Sequence, residues 1–251
     1  MNLKYFFALF LLLTSMVATA GSGSEFSADF IQSAPQQGEQ QGKIYVGKGR
    51  MRMEFDANGS QIIQIVDSQQ QMVYMINTEE KSYMRQGGQS GMMPGAGPQD
   101  STNPCAGMKN ITCKRVGEEK INGRLAEKWE FSSTSQAQSG KMTTWLDKER
   151  RIPVRQTMPD GSGMELAFRG TEKVSGRMTE KWEMKTTSTD GESQVSYQWF
   201  DPELNMNIRE YNAGGFKREM RNIKTGKQPA TLFTVPPGYQ EITMPQGGGY
   251  R

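Results

Sequence analysis

Apolar and polar residues alternate along most of this chain. In "GRMRMEF", Met51, Met53 and Phe55 fall on one side, and Arg50, Arg52 and Glu54 on the other. In "QMVYMIN", Met72, Tyr74 and Ile76 oppose Val73 and Met75. A period of two in short runs marks half-buried strands. No stretch combines a helical apolar period with helix caps. Asn58-Gly59, Asn122-Gly123, Asp160-Gly161, Asp190-Gly191 and Gly214-Gly215 punctuate the runs. Such pairs between alternating segments mark tight antiparallel hairpins. The pattern predicts an all-β chain: a long antiparallel meander with few or no helices.

One stretch occurs twice. "GEEKINGRLAEKWEF" starts at Gly117 and "GTEKVSGRMTEKWEM" at Gly170, with nine of fifteen positions identical. As strands, the first puts Leu125, Glu127, Trp129 and Phe131 on one face; the second puts Met178, Glu180, Trp182 and Met184 there. The parallel continues, since "TTWLDKERRIPVRQ" matches "YQWFDPELNMNIRE". Trp145 answers Trp199, Asp147 answers Asp201, and Arg155 answers Arg209. The unit is a set of about four strands. Two copies are too few for a solenoid. Side by side they extend one sheet, which at this length must twist and curl. Glu127 and Glu180 share the tryptophan face; an edge position or a salt bridge to Arg124 or Arg177 is their ordinary reading, and paired catalytic carboxylates the alternative.

The ends and interruptions divide the chain. Residues 1–20, "MNLKYFFALFLLLTSMVATA", have a basic start, a short apolar run and Ala18-Thr19-Ala20, which reads as a secretory signal peptide cleaved after Ala20. The apolar run is shorter than a membrane-spanning helix, which needs about 20 residues. Residues 21–251 then form a single domain: N-terminal strands over 26–85, a Gly-, Pro- and Gln-rich flexible loop over 86–104, a first repeat over 112–169, a second repeat with a C-terminal strand over 170–243, and a fraying tail over 244–251.

Composition removes several kinds of chemistry. The formal charge is +3, with both signs interspersed, so nothing calls for nucleic acid. With no histidine, Ser-His-Asp and Cys-His arrangements and His-ligated metals are excluded. No other nucleophile–base pair stands out, and no cofactor motif is present, so an enzyme is the weakest reading. The two cysteines, Cys105 and Cys113, are close enough in "CAGMKNITC" to form a disulfide in an oxidising compartment; a reactive thiol pair is the alternative. Thioethers are soft metal ligands, but the methionines of "GMMPGAGP" and Met108 have irregular spacing and no second ligand type, which favours a plain loop.

Several segments resemble the LolA/LolB-like periplasmic lipoprotein-carrier family. "FSADFIQ" is similar to its opening strand, "GKIYVGKGRMRMEF" to its second hairpin, "IIQIVDSQQQMVYMINTEEKSYM" to the next two strands, and "LFTVPPGYQEI" to its last segment. The repeated middle resembles an uncharacterised secreted relative built on the same half-barrel. The resemblance implies a strongly curved, half-open antiparallel sheet whose concave face holds acyl chains. Two family features are missing here: a helix before "ADF" and helices over the cavity mouth. Lipoprotein transfer is therefore less expected than a lipid-binding surface.

Met is flexible and polarizable and suits adaptable binding surfaces. The expected site is an acyl-chain groove lined by Met51, Met53, Phe55, Trp129, Phe131, Trp182 and Met184. The alternative is that these residues only fill a core. The expected function is non-catalytic binding of an acyl chain, lipid or lipidated protein in the periplasm or outside the cell. The rival is a cell-envelope protein–protein interaction module with a closed core.

Overall fold

Two kinds of turn build the strands. Asp67, Asn77, Asp147 and Asp201 each end a strand, and each Oδ1 accepts the backbone N–H groups two and three residues on. The fourth residue on is left-handed in every case: Gln71, Lys81, Arg151 and Asn205, with φ from +48° to +56°. Short Asx side chains replace the missing ladder bonds there. Asn122-Gly123 and Ser175-Gly176 form the other kind, with positive φ at both residues, which suits the twist of two-residue hairpins.

The structure is a computed structural model describing residues 24–35, 38–57, 59–87, 104–105, 110–133 and 140–242. The expected signal peptide and its cleavage site, the methionine-rich stretch with Met108, and the tail expected to fray lie outside the described residues. The first meander runs through β1 (Phe26–Ala34), β2 (Gly38–Gly47), β3 (Arg50–Ala57), β4 (Ser60–Asp67), β5 (Met72–Asn77) and β6 (Ser82–Gly87). The second runs through β7 (Ile111–Ile121), β8 (Arg124–Ser133), β9 (Lys141–Asp147), β10 (Pro153–Thr157), β11 (Gly163–Val174), β12 (Arg177–Thr187), β13 (Ser193–Asp201), β14 (Met206–Asn212) and β15 (Lys217–Thr225). β1 pairs antiparallel with β15 and welds the two into one curved, open sheet. A short 3-10 turn (Ala230–Phe233) leads to β16 (Gln240–Glu241), which pairs parallel with β6. Among the described residues there is no α-helix, and β7 forms the far edge.

That edge carries Lys114, Arg115, Glu118, Glu119 and Lys120, and a register shift between Arg115 and Gly117. Charge and a bulge both discourage edge-to-edge pairing. On β1 and β2, Phe30 lies against Gly42, where a Cβ would stand 2.5 Å from the ring and 2.2 Å from the Glu54 carbonyl oxygen.

The predicted repeat is a unit folded twice, with β11 shared. The first half of β11 closes copy one, and its second half, beyond the register shift at 168–171, opens copy two. In copy one, Trp145 donates its indole N–H to Glu119 (2.7 Å), Arg155 binds Glu165 (2.7 Å), and Lys128 lies over the Trp145 ring. In copy two, Trp199 donates to Glu172 (2.8 Å), Arg209 binds Glu219 (3.0 Å), and Lys181 lies over Trp199. Each unit curls until its hairpin tip reaches a strand three places along. Asn122 donates to the Leu166 carbonyl, and Ser175 to the Met220 carbonyl. Each bond satisfies a backbone oxygen just beyond the paired stretch of β10 with β11 or β14 with β15.

Candidate functional site

Directly opposed residues of antiparallel strands project to the same side. Following these pairs across the sheet places all seven candidate residues on one face. Met51, Met53 and Phe55 oppose Val46, Ile44 and Gly42. From β2 the face continues through Phe30 and Gln32 on β1 to Arg218 on β15 and Glu210 on β14. It then passes Gln198 to reach Trp182 and Phe168, and the next rows lead through Met164 and Thr144 to Trp129.

The seven share a face but form three separate groups. Met51, Met53 and Phe55 are buried in a cluster with Phe26, Phe30 and Ile44. Trp129 and Phe131 are buried with Leu146 and Cys105. Cys105 and Cys113 form a disulfide, so the cross-link holds residue 105 within the cluster beneath which Phe131 is only 3% exposed. Trp182 is buried beneath Phe168, whose ring meets it edge-on at 5.4 Å, and Arg124, 5.6 Å above it.

The two copies differ on this face. Phe131 corresponds to Met184, which is only half-buried; Cys113 corresponds to Leu166, also half-buried; Arg115 corresponds to Phe168, 41% exposed. Leu125 and its counterpart Met178 are exposed in both copies. In copy one Cys105 packs against Trp129 and Phe131, whereas copy two presents Met164, Leu166, Phe168 and Met184 as a partly open apolar strip.

A second difference lies in the row through the paired tryptophans. Copy one reads Trp129, Thr144, Gln156, Met164; copy two reads Trp182, Gln198, Glu210, Arg218. Gln156 donates to Thr144 and to the Met142 sulfur. In copy two, Arg218 binds Glu210, and Asn207 donates to Gln198 (3.0 Å) and Glu210 (3.3 Å). Phe168, Leu166, Glu210 and Arg218 were absent from the sequence-derived site. Aligning "IPVRQ" with "MNIRE" already sets Gln156 against Glu210; the burial of Arg218 emerges only from strand pairing.

The carboxylates of the tryptophan strands form ion pairs, with partners other than those expected. Glu127 binds Arg151 and Arg115, and Glu180 binds Arg150. Arg124 and Arg177 bind Asp147 and Asp201 instead. An arginine three residues before a glutamate points to the opposite side of a strand, so the expected pairs cannot meet. The Arg151 bond is the main force holding the Glu127 carboxyl below its usual range. Burial pushes Asp147 up, but the Arg124 bond and the Arg150 N–H outweigh it. Burial likewise pushes Glu165 up, and bonds from Arg155 and Asn122 bring it below the ordinary value.

Two shallow hollows are present: one of about 380 Å³ by Lys48 and Lys227, away from the seven, and one of about 210 Å³ that borders Gln41 and the candidate residue Phe55. Among the described residues, no three Cys, Asp or Glu side chains converge as metal ligands, and no helix is long and apolar enough to cross a membrane.

A domain family of unknown function, DUF4412, matches residues 29–150. No curated protein matches the chain. Solved structures similar to it include a LolA superfamily protein from Nitrosomonas europaea, 10% identical with a TM-score of 0.39 over 88% of this chain and 96% of that one. A domain from Vibrio parahaemolyticus, described as an outer membrane lipoprotein-sorting protein, is 12% identical with a TM-score of 0.36 over 86% and 92%. A DUF1329 family protein from Desulfovibrio piger is 13% identical with a TM-score of 0.32 over 92% and 95%.

Proposed function

We propose that this protein is a non-catalytic periplasmic binding protein that takes the acyl chain of a lipid or lipidated protein against the copy-two part of its methionine–tryptophan face. The observation carrying this reading is the contrast between matched positions. Phe131 is buried against the disulfide-bonded Cys105, while Met184, Leu166 and Phe168 remain partly open around Trp182. Exposed apolar side chains grouped together, unlike ones scattered singly, mark a binding surface. Each methylene buried there contributes about 0.8 kcal/mol. Of the residues expected to line a groove, Trp182 and Met184 lie at this strip; the other five are buried in two separate clusters.

Displacement of a fluorescent fatty-acid probe tests the reading. Wild-type protein should bind the probe saturably. Phe168→Asp and Met184→Asp should abolish binding without unfolding the chain, because both positions reach solvent. Absence of saturable binding to fatty acid, phospholipid and lipopeptide would end it. The closed-core envelope interaction module would then stand in its place, favoured by the burial of Met51, Met53 and Phe55.

A further inference from the structure

Arg218 sits in the middle of the sheet, 3% exposed, on the same face as the open strip. Its Nη2 donates to Glu210, itself buried, while its Nη1 is shut off from water and has no hydrogen-bond partner. An unsatisfied buried donor is destabilising, and native structures hold few of them. From Arg218, directly opposed pairs lead in one row through Glu210 and Gln198 to Trp182 and Phe168. At about 4.8 Å per strand, Phe168 lies about 19 Å from Arg218 along the sheet, comparable to an extended long acyl chain. The row is polar at one end and apolar at the other.

We infer that Arg218 Nη1 is the head-group donor of this surface and that its ligand is an acyl ester, with the ester carbonyl oxygen on Nη1 and the chain over Trp182 and Phe168. This rests on the acyl-chain reading above. The choice of a neutral oxygen follows from charge. Glu210 already balances the guanidinium, so a carboxylate head would add a second negative charge beside it in a buried setting. A carbonyl supplies the missing acceptor without that cost. Copy one, with Gln156 and Met164 at the matching places, has no such donor.

The experiment compares palmitoyl lysophosphatidylcholine with its ether-linked hexadecyl analogue, below micellar concentration, by probe displacement. The two differ by the ester carbonyl. Wild-type protein should bind the ester at least about tenfold more tightly, a difference of about 1.4 kcal/mol. The double variant Glu210→Gln with Arg218→Met copies the residues copy one already carries. It should keep its circular dichroism spectrum, bind the ether form as before, and lose the preference. Should it fail to fold, the wild-type ester-to-ether ratio decides alone. Equal binding of both lipids, or a preference surviving in the folded double variant, overturns the head-group assignment and leaves acyl-chain binding intact. Tighter binding of palmitate than of the ester overturns the neutral head. Binding of neither lipid removes both readings.

Discussion

Phe131 and Met184 occupy matching places in the two copies, so truncating each to alanine separates a filled core from an open strip. Phe131 is 3% exposed within the cluster of Trp129, Leu146 and Cys105. Emptying such a site costs about 3–5 kcal/mol from lost transfer energy and the cavity left behind. Met184 is half-buried and belongs to no buried cluster among the described residues. Full burial of a methionine is worth about 1.5–3 kcal/mol, so half of it removed costs about 1 kcal/mol. For a chain of this size, 1 kcal/mol shifts Tm by about 2–4 °C. Phe131→Ala should therefore lower Tm by at least about 6 °C, and Met184→Ala by about 2–4 °C. Urea unfolding of both variants, followed by circular dichroism with the disulfide intact, gives the free energies. Binding of the fatty-acid probe should weaken in Met184→Ala and persist in folded Phe131→Ala. Equal stability losses, or loss of binding confined to Phe131→Ala, would refute the contrast between the copies.

Further outcomes follow from other parts of the sheet. Cys105→Ser with Cys113→Ser should cost about 2.5 kcal/mol, the loop-entropy value for so small a ring, and make Trp129 more accessible to acrylamide quenching. Gly42→Ala should destabilise by at least about 1–3 kcal/mol, because the new methyl group meets the Glu54 backbone and the Phe30 ring; an unchanged urea midpoint would contradict the register of β2 against β3. The carboxyls of Glu127, Asp147 and Glu165 are held below their ordinary values in the folded chain. Their contribution is therefore fully present above the unfolded values near pH 4 and is lost as pH falls through the lower folded ones. Stability measured against pH should stay level in this respect down to about pH 5 and fall below about pH 4; a fall starting at pH 6 would refute it.

Much of this fold was legible locally. The alternation around Met53 and around Trp129, the Asn-Gly and Asp-Gly turns and the duplicated segment all translate into strands, hairpins and paired units, because each depends on residues within a few positions. The pairing of β1 with β15 was not legible, since it joins residues about two hundred positions apart and no local pattern encodes the partner. Nor was the state of each apolar face. Alternation says which side Met53 and Met184 take, but what lies over each depends on a neighbour brought by the sheet's curl. Met53 meets Phe26 and Phe30 from the joined β1, whereas among the described residues nothing in copy two takes the place of Cys105. Parity alone rules out the expected pairing of Arg124 and Arg177 with Glu127 and Glu180, since a spacing of three puts each on the side opposite its nearest glutamate; their partners Asp147 and Asp201 come from strand pairing.

Photo-crosslinking with a diazirine-bearing palmitoyl lipid, followed by peptide mapping, tests the central claim most directly. Saturable label should appear in β11, β12 and β13, on peptides containing Leu166, Phe168, Met184 or Gln198, and should be competed away by unlabelled lipid. Label confined to peptides carrying Met51, Met53, Phe55 or Phe131, or label that excess lipid does not displace, would contradict it.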